Sequence, residues 1–169
     1  MPTPGIQLFL VSLFLSFAPI ETKIRGVALG KLKTFKEVLR TQAVTHRESY
    51  QIGRSHGVHA EPITFGLKLA LWSEEIGRHI VRWERAVKSI ATGKISGAVG
   101  TYQHLDPEVE EETCKRLGLQ AATVSSQVVQ RDHHAEYLTT LANIAASLEK
   151  IRKQVIGGLS AARLFMLHY

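Results

Sequence analysis

Three short segments hold most of the side chains able to move protons or grip a polar ligand. The first is Gly53-Arg54-Ser55-His56-Gly57-Val58-His59-Ala60-Glu61-Pro62. The second is GKISGAVGTY at residues 93–102, and the third is SSQVVQRDHHAEY at residues 125–137. His56 and His59 stand three apart, and His133 and His134 are adjacent. Imidazole admits three uses in such places. A zinc site would want HExxH or a similar i, i+4 pair with an acid in register, and no such pair occurs. Hydrogen bonding or capping within the loop is the ordinary use. General acid/base work is the third, because imidazole titrates near physiological pH. Ser55 directly precedes His56, an arrangement that rarely makes a nucleophile–base pair, and there is no GxSxG elbow. The glycine-rich segment fits neither GxxxxGK[ST] nor GxGxxG and follows no strand pattern, which argues against a phosphate-cradling loop. Its glycines suit a close approach of backbone to a ligand or a neighbouring helix.

Polar loop residues work when rigid elements present them. The spacing predicts those elements to be helices. Leu32, Phe35 and Leu39 share one stripe of a helix over residues 27–50. Two glycines and a proline then mark residues 51–62 as a loop. A long helix follows over residues 63–91, where Phe65, Leu69, Trp72, Ile76, Ile80, Trp83, Val87 and Ile90 recur at steps of three or four. Glu74, Glu75, Arg78, Arg82 and Arg85 lie between them and would face water or neighbouring subunits. Pro107 opens a shorter helix to about Leu117, with Asp106 as N-cap, acids in the first turns and Gly118 as its stop. A loop over residues 121–130 leads to a last helix carrying Leu141, Ile144, Leu148, Ile151 and Val155, which Gly157-Gly158 is expected to interrupt. Strand signals are scarce. The fold class is all-α, a bundle of long helices with short functional loops between them.

With 169 residues, 44% of them hydrophobic and 21% charged, the chain suits one ordinary globular domain with a real core. The formal net charge is +6, but the basic residues are scattered among acids, as in Arg78-His79-Ile80-Val81-Arg82-Trp83-Glu84-Arg85. Solvated helix faces, and no nucleic-acid partner, follow from that scatter. An anionic small molecule also suits a basic protein. Cys114 is the only cysteine, so no intrachain disulfide forms, and it sits in a polar run as a poor nucleophile. The stretch IQLFLVSLFLSFAPI at residues 6–20 is apolar, yet short for a membrane span and without a preceding Lys or Arg. A secreted or membrane-attached protein is a reading that rests on this stretch alone.

GRSHGVHAEPITFGLKLALW (residues 53–72), GKISGAVGTY and SSQVVQRDHHAEY closely resemble bacterial-type adenylosuccinate lyase, in that family's order and spacing. The likeness covers about residues 52–150, and the HGVHAEP string favours this branch over fumarase, argininosuccinate lyase and the cycloisomerase relatives. The resemblance implies the central helical domain of the fumarase/aspartase superfamily and a β-elimination of purine biosynthesis. Such enzymes release fumarate from adenylosuccinate, giving AMP, and from the succinyl-carboxamide ribonucleotide. It implies no metal and no organic cofactor, a purine nucleotide substrate, a cytoplasmic homotetramer and no membrane. Carried over residue by residue, His56 matches the general acid, Ser55 the adjacent Ser/Thr that contacts substrate, and Gln127 a substrate-binding glutamine. Arg54, Lys94 and Arg131 are expected in structural or field roles. The family's base is a serine in a GSSxMPxKxNP loop, and these residues contain no such string. The chain is therefore expected to act as a central fragment, inactive alone. Its parts are an atypical apolar segment at 1–24, a partial lyase domain at 25–157 and an atypical tail at 158–169. The alternative is a non-catalytic helical module that co-assembles with a full-length lyase.

Overall fold

The computed structural model describes residues 4–166, with side chains from 25 to 157. The expectations placed on the side chains of residues 6–20 and on the tail from 158 lie outside the described residues. Along the chain run α1 (Pro4–Thr45), β1 (Tyr50–Ser55), β2 (Val58–Thr64), α2 (Phe65–Ile90), β3 (Thr92–Gly93), α3 (Pro107–Arg116), β4 (Gln120–Ala121) and α4 (Asp132–Met166). The fold class is all-α as read. Among the described residues, no helix is long and apolar enough to cross a membrane. The expected break at Gly157-Gly158 is absent, and α4 continues through both glycines. A glycine pair lowers helix propensity by only about 2 kcal/mol, which neighbouring residues can offset.

Two compact units divide the chain, one of Leu32–Trp83 with Leu138–Tyr169 and one of Met1–Lys31 with Glu84–Tyr137. The first is built on the apolar seams. Leu32 and Leu39 of α1, Leu69, Trp72, Ile76 and Trp83 of α2, and Ile144 and Ile151 of α4 are all buried. Gly66 lets α2 start hard against α1, since a Cβ there would lie 2.4 Å from the Ala43 carbonyl and 2.8 Å from Arg47 Cα. Thr64 caps the helix, its Oγ1 accepting from Leu67 N at 3.1 Å.

The residues expected as a loop at 51–62 form a β-hairpin instead. Ile52 pairs with Pro62, and Ser55 pairs with Val58. Each feature that suggested a loop has a place in it. His56 and Gly57 are the two turn residues, with φ of +54° and +79°, the left-handed pair that a two-residue hairpin turn requires. Gly53 stands opposite both Ala60 and Glu61 at a bulge, where a Cβ would lie 2.5 Å from the Glu61 carbonyl. Pro62 is tolerated because both strands of a two-stranded sheet are edges.

The same unit holds a polar network. Ser147 donates to Glu75 Oε1 at 2.6 Å, so its oxygen is left to accept from His79 Nε2–H at 2.8 Å. Lys150 closes on Glu75 Oε2. Burial raises the Glu75 carboxyl, but the bonds from Lys150 and Ser147 outweigh it and hold the group below its ordinary value. Burial, aided by Arg82, Arg78 and Lys150 against Glu75, holds the His79 imidazole below its ordinary value.

In the second unit, β3 and β4 make a short parallel pair, Thr92 with Gln120 and Gly93 with Ala121. Asp106 caps α3 and Pro107 opens it as read, and Gly118 follows the helix with φ +70°. Ala86, Ala91, Cys114, Val129 and Tyr137 form the apolar core.

Two stability tests follow. Gly66→Ala should lower unfolding stability by about 1–3 kcal/mol. Gly30→Ala, where nothing lies within 4 Å, should raise it by about 0.5–1 kcal/mol; urea midpoints read both. Burial favours the neutral form of His79 in the fold, so its contribution is complete above the ordinary histidine value of 6.5 and is lost as pH falls below it. Between pH 7 and 5 the stability of His79→Gln should therefore fall less steeply than that of the parent. Equal slopes would show that His79 does not titrate with unfolding.

Candidate active site

Ser55 and His56 project from the tip of the β1–β2 hairpin, and both are exposed. Two antiparallel strands and a two-residue turn fix where the His56 backbone points. The left-handed backbone at a non-glycine position marks a geometry held by its surroundings. Arg54 reaches His59 across the strands, with Nη2 and Nε2 3.5 Å apart. His133 Nδ1 meets Ser89 Oγ at 3.0 Å, the structural use of an imidazole. Among the described residues, no group of three or more His, Cys, Asp or Glu side chains is placed to hold a metal ion.

Gln127 is exposed in the loop between β4 and α4. It belongs to the second unit, whereas Ser55 and His56 belong to the first. Two contacts fix the backbone just before it. Lys94 Nζ donates to Ser126 O at 2.6 Å and to Gly97 O at 2.5 Å. Ser96 Oγ and Ser125 Oγ are 2.9 Å apart. Gly100 packs so closely that a Cβ would sit 2.0 Å from Ser125 O. The glycine-rich segment thus approaches a neighbouring loop, where the sequence had suggested a ligand or a neighbouring helix. Lys94 has the structural role expected of it: its ammonium clamps carbonyls. Burial lowers its pKa, with Glu110 acting in the opposite direction.

Glu110 is the functional candidate that sequence reasoning missed. It is only 1% exposed. Its Oε2 accepts from Ile95 N, and its Oε1 accepts from Tyr102 O–H at 2.7 Å. That hydrogen bond to a carboxylate, with lesser contributions from burial and nearby charge, raises the Tyr102 phenol above its ordinary value. Tyr102 itself has φ +52°, and its N–H donates to Ser96 O at 3.1 Å. In the sequence the acid reads as a partner of the helix dipole, within the run Glu110-Glu111-Glu112. The available signal was Cys114, one helical turn later on the same face, and it too is buried.

Two open surface depressions lie on α1, around Lys33, Glu37 and Thr41, and on α3, around Glu108, Glu112 and Arg116. Neither includes Ser55, His56 or Gln127.

A family model described as "Lyase" matches residues 20–165. Adenylosuccinate lyase from Bacillus subtilis (strain 168) is 50% identical over 131 residues, which are 78% of this chain and 30% of that protein. Adenylosuccinate lyase from Synechocystis sp. (strain ATCC 27184 / PCC 6803 / Kazusa) is 52% identical over 127 residues, 75% of this chain and 30% of that protein. The chain thus spans about 30% of the length of these curated relatives. Among solved structures, fumarate lyase from Mesorhizobium sp. BNC1 superimposes with a TM-score of 0.71 at 30% identity, covering 82% of this chain and 34% of that one. The β-carboxy-cis,cis-muconate cycloisomerase from Acinetobacter calcoaceticus sp. ADP1 gives a TM-score of 0.74, covering 81% of this chain and 32% of that one. At 24% identity it shares the fold alone.

At an ordinary backbone position, glycine in place of another residue costs about 0.5–1 kcal/mol. At φ +54° that entropy is offset by relief of backbone strain. His56→Gly should therefore unfold at a urea midpoint no lower than the parent's while removing the imidazole. A drop of about 1 kcal/mol or more would show the turn is unstrained.

Proposed function

The chain belongs to the lyase family matched over residues 20–165, and from that premise we propose that residues 25–157 form part of the helical domain of an adenylosuccinate lyase. The reaction is β-elimination of fumarate from adenylosuccinate and from the succinyl-carboxamide ribonucleotide, in the cytoplasm, without metal or cofactor. The observation that carries this reading is identity of half or more to two curated adenylosuccinate lyases over three quarters of the chain.

His56 is the general acid. A base removes the proton beside a carboxylate, an aci-carboxylate carbanion forms, and the C–N bond breaks as the imidazolium protonates the leaving nitrogen. An exposed hairpin tip suits that task, because the ring can meet a substrate that this chain does not itself enclose. Ser55 offers its hydroxyl beside the same turn. Gln127 offers an amide that donates and accepts toward the polar ligand. The base belongs to the GSSxMPxKxNP serine of the resembled family, a string these 169 residues do not contain. The chain supplies the acid half of the chemistry.

A second reading, co-assembly with copies of a full-length lyase, is favoured by the apolar residues that α4 leaves exposed. They include Leu138, Leu148, Val155 and Ile156, an apolar face of the kind that marks an interface. A homotetramer of the complete enzyme is the assembly proposed.

The test is fumarate release from adenylosuccinate. The purified chain alone should release none above a His56→Ala control. Mixed with a full-length adenylosuccinate lyase whose matching histidine is replaced by alanine, the chain should restore turnover, and His56→Ala should not. Restoration by both forms would remove His56 from the acid role. Failure of both, with co-assembly shown by sedimentation, would count against the lyase reading of this chain.

A further inference from the structure

The loop carrying Gln127 has no regular hydrogen-bonded structure of its own, yet its backbone is gripped at consecutive residues. Ser125 meets Ser96 through paired hydroxyls, and its carbonyl rests on Gly100. The Ser126 carbonyl accepts from Lys94. All of these grips come from the 93–102 segment, which is itself irregular. An irregular segment can position another only if something fixes it first. That something is the Glu110 carboxylate. Rooted in α3 and almost wholly buried, it holds the segment near its start through Ile95 N–H and at its end through Tyr102 O–H. The Tyr102 N–H bond to the Ser96 carbonyl closes the segment into a ring.

We infer that Glu110 is a positioning residue for Gln127, acting through the 93–102 segment and its Lys94 and Ser96 grips on Ser125 and Ser126. The inference rests on the reading of Gln127 as a substrate contact only for its catalytic meaning; the mechanical coupling stands apart from it. Glu110 touches no substrate. Its two oxygens accept a part-buried backbone N–H and a part-buried phenol O–H, and both lose a charged acceptor when the carboxylate goes. Removing the carboxylate frees the ring, and with it the backbone that aims the Gln127 amide. Glutamine at 110 keeps both bonds, because its carbonyl accepts from Ile95 N–H and its amide donates to a Tyr102 oxygen turned acceptor. Shape and hydrogen bonding matter here, and charge is secondary.

The experiment compares the full chain with Glu110→Ala, Glu110→Gln and Tyr102→Phe by 15N relaxation. In the parent, amides 125–127 should show order parameters of about 0.85. Glu110→Ala should bring them below about 0.6, with the amides of α2 unchanged, and Glu110→Gln should restore them. Tyr102→Phe, which keeps the Ile95 bond, should give an intermediate value and serves where the alanine variant does not fold. Amides 125–127 that stay rigid in Tyr102→Phe and in any folded Glu110→Ala would overturn the inference. In parallel, AMP binding is measured by titration calorimetry on the chain co-assembled with a full-length adenylosuccinate lyase whose matching glutamine is replaced by alanine. Glu110→Ala and Gln127→Ala should each weaken it about tenfold, and the double variant should be no weaker than either alone. Additive losses would show that Glu110 acts independently of Gln127, against the inference. Equal AMP binding by the parent and Gln127→Ala would sink the substrate reading of Gln127, while the order parameters would still decide the role of Glu110.

Discussion

Carboxylates that have given up most of their water hold both units together. A buried ionised acid is tolerated only when donors replace the lost hydration, and one left unpaired costs several kcal/mol. Glu110 meets that demand with a backbone N–H and a phenol from one irregular segment. Glu75 meets it with a serine and a lysine from a helix more than seventy residues later in the chain. In each case the acid chooses its neighbours, because few donors can reach it. Apolar seams bring helices together over a broad face and tolerate small slips. A carboxylate with fixed donors sets one register, and that precision is what loop residues need if they are to face a ligand.

The helices were legible because their signal repeats. Leu69, Trp72, Ile76 and Trp83 are buried where the three-four spacing put them, and Asp106 caps α3 as read. The hairpin was not legible, for a physical reason. Its bulge and turn both call for small or left-handed residues, so Gly53, His56 and Gly57 look from sequence like a loop. Period-two alternation over six or seven residues is too short a signal to overrule two glycines and a proline. Glu110 was hidden differently. In a run of acids every member suits a helix start, and the pointer to the one that turns inward was a single residue, Cys114, one helical turn later on the same face. Gly157-Gly158 shows the opposite error, a local breaker overridden by the helix on either side of it.

The three candidate loops share a construction. Each has side chains suited to chemistry on backbone that ordinary propensity would not hold. His56 and Tyr102 are the non-glycine residues with positive φ among the described ones, and they stand in two of these loops. A left-handed tyrosine persists because its ring is anchored at the hydroxyl and its N–H at Ser96. A left-handed histidine persists because two paired strands impose the turn. The two cases differ in what the strain achieves. At Tyr102 it shapes a scaffold, and the side chain is bound to protein. At His56 it leaves an exposed imidazole, with no hydrogen-bond partner for it among the described residues, and that is where the proposed proton donor would have to stand to meet a substrate from outside this chain. Strain anchored by the side chain itself marks structure. Strain imposed from the backbone, with the side chain left exposed, leaves a group free for chemistry, and that difference supports the proposal of His56, and not Tyr102, as the acid.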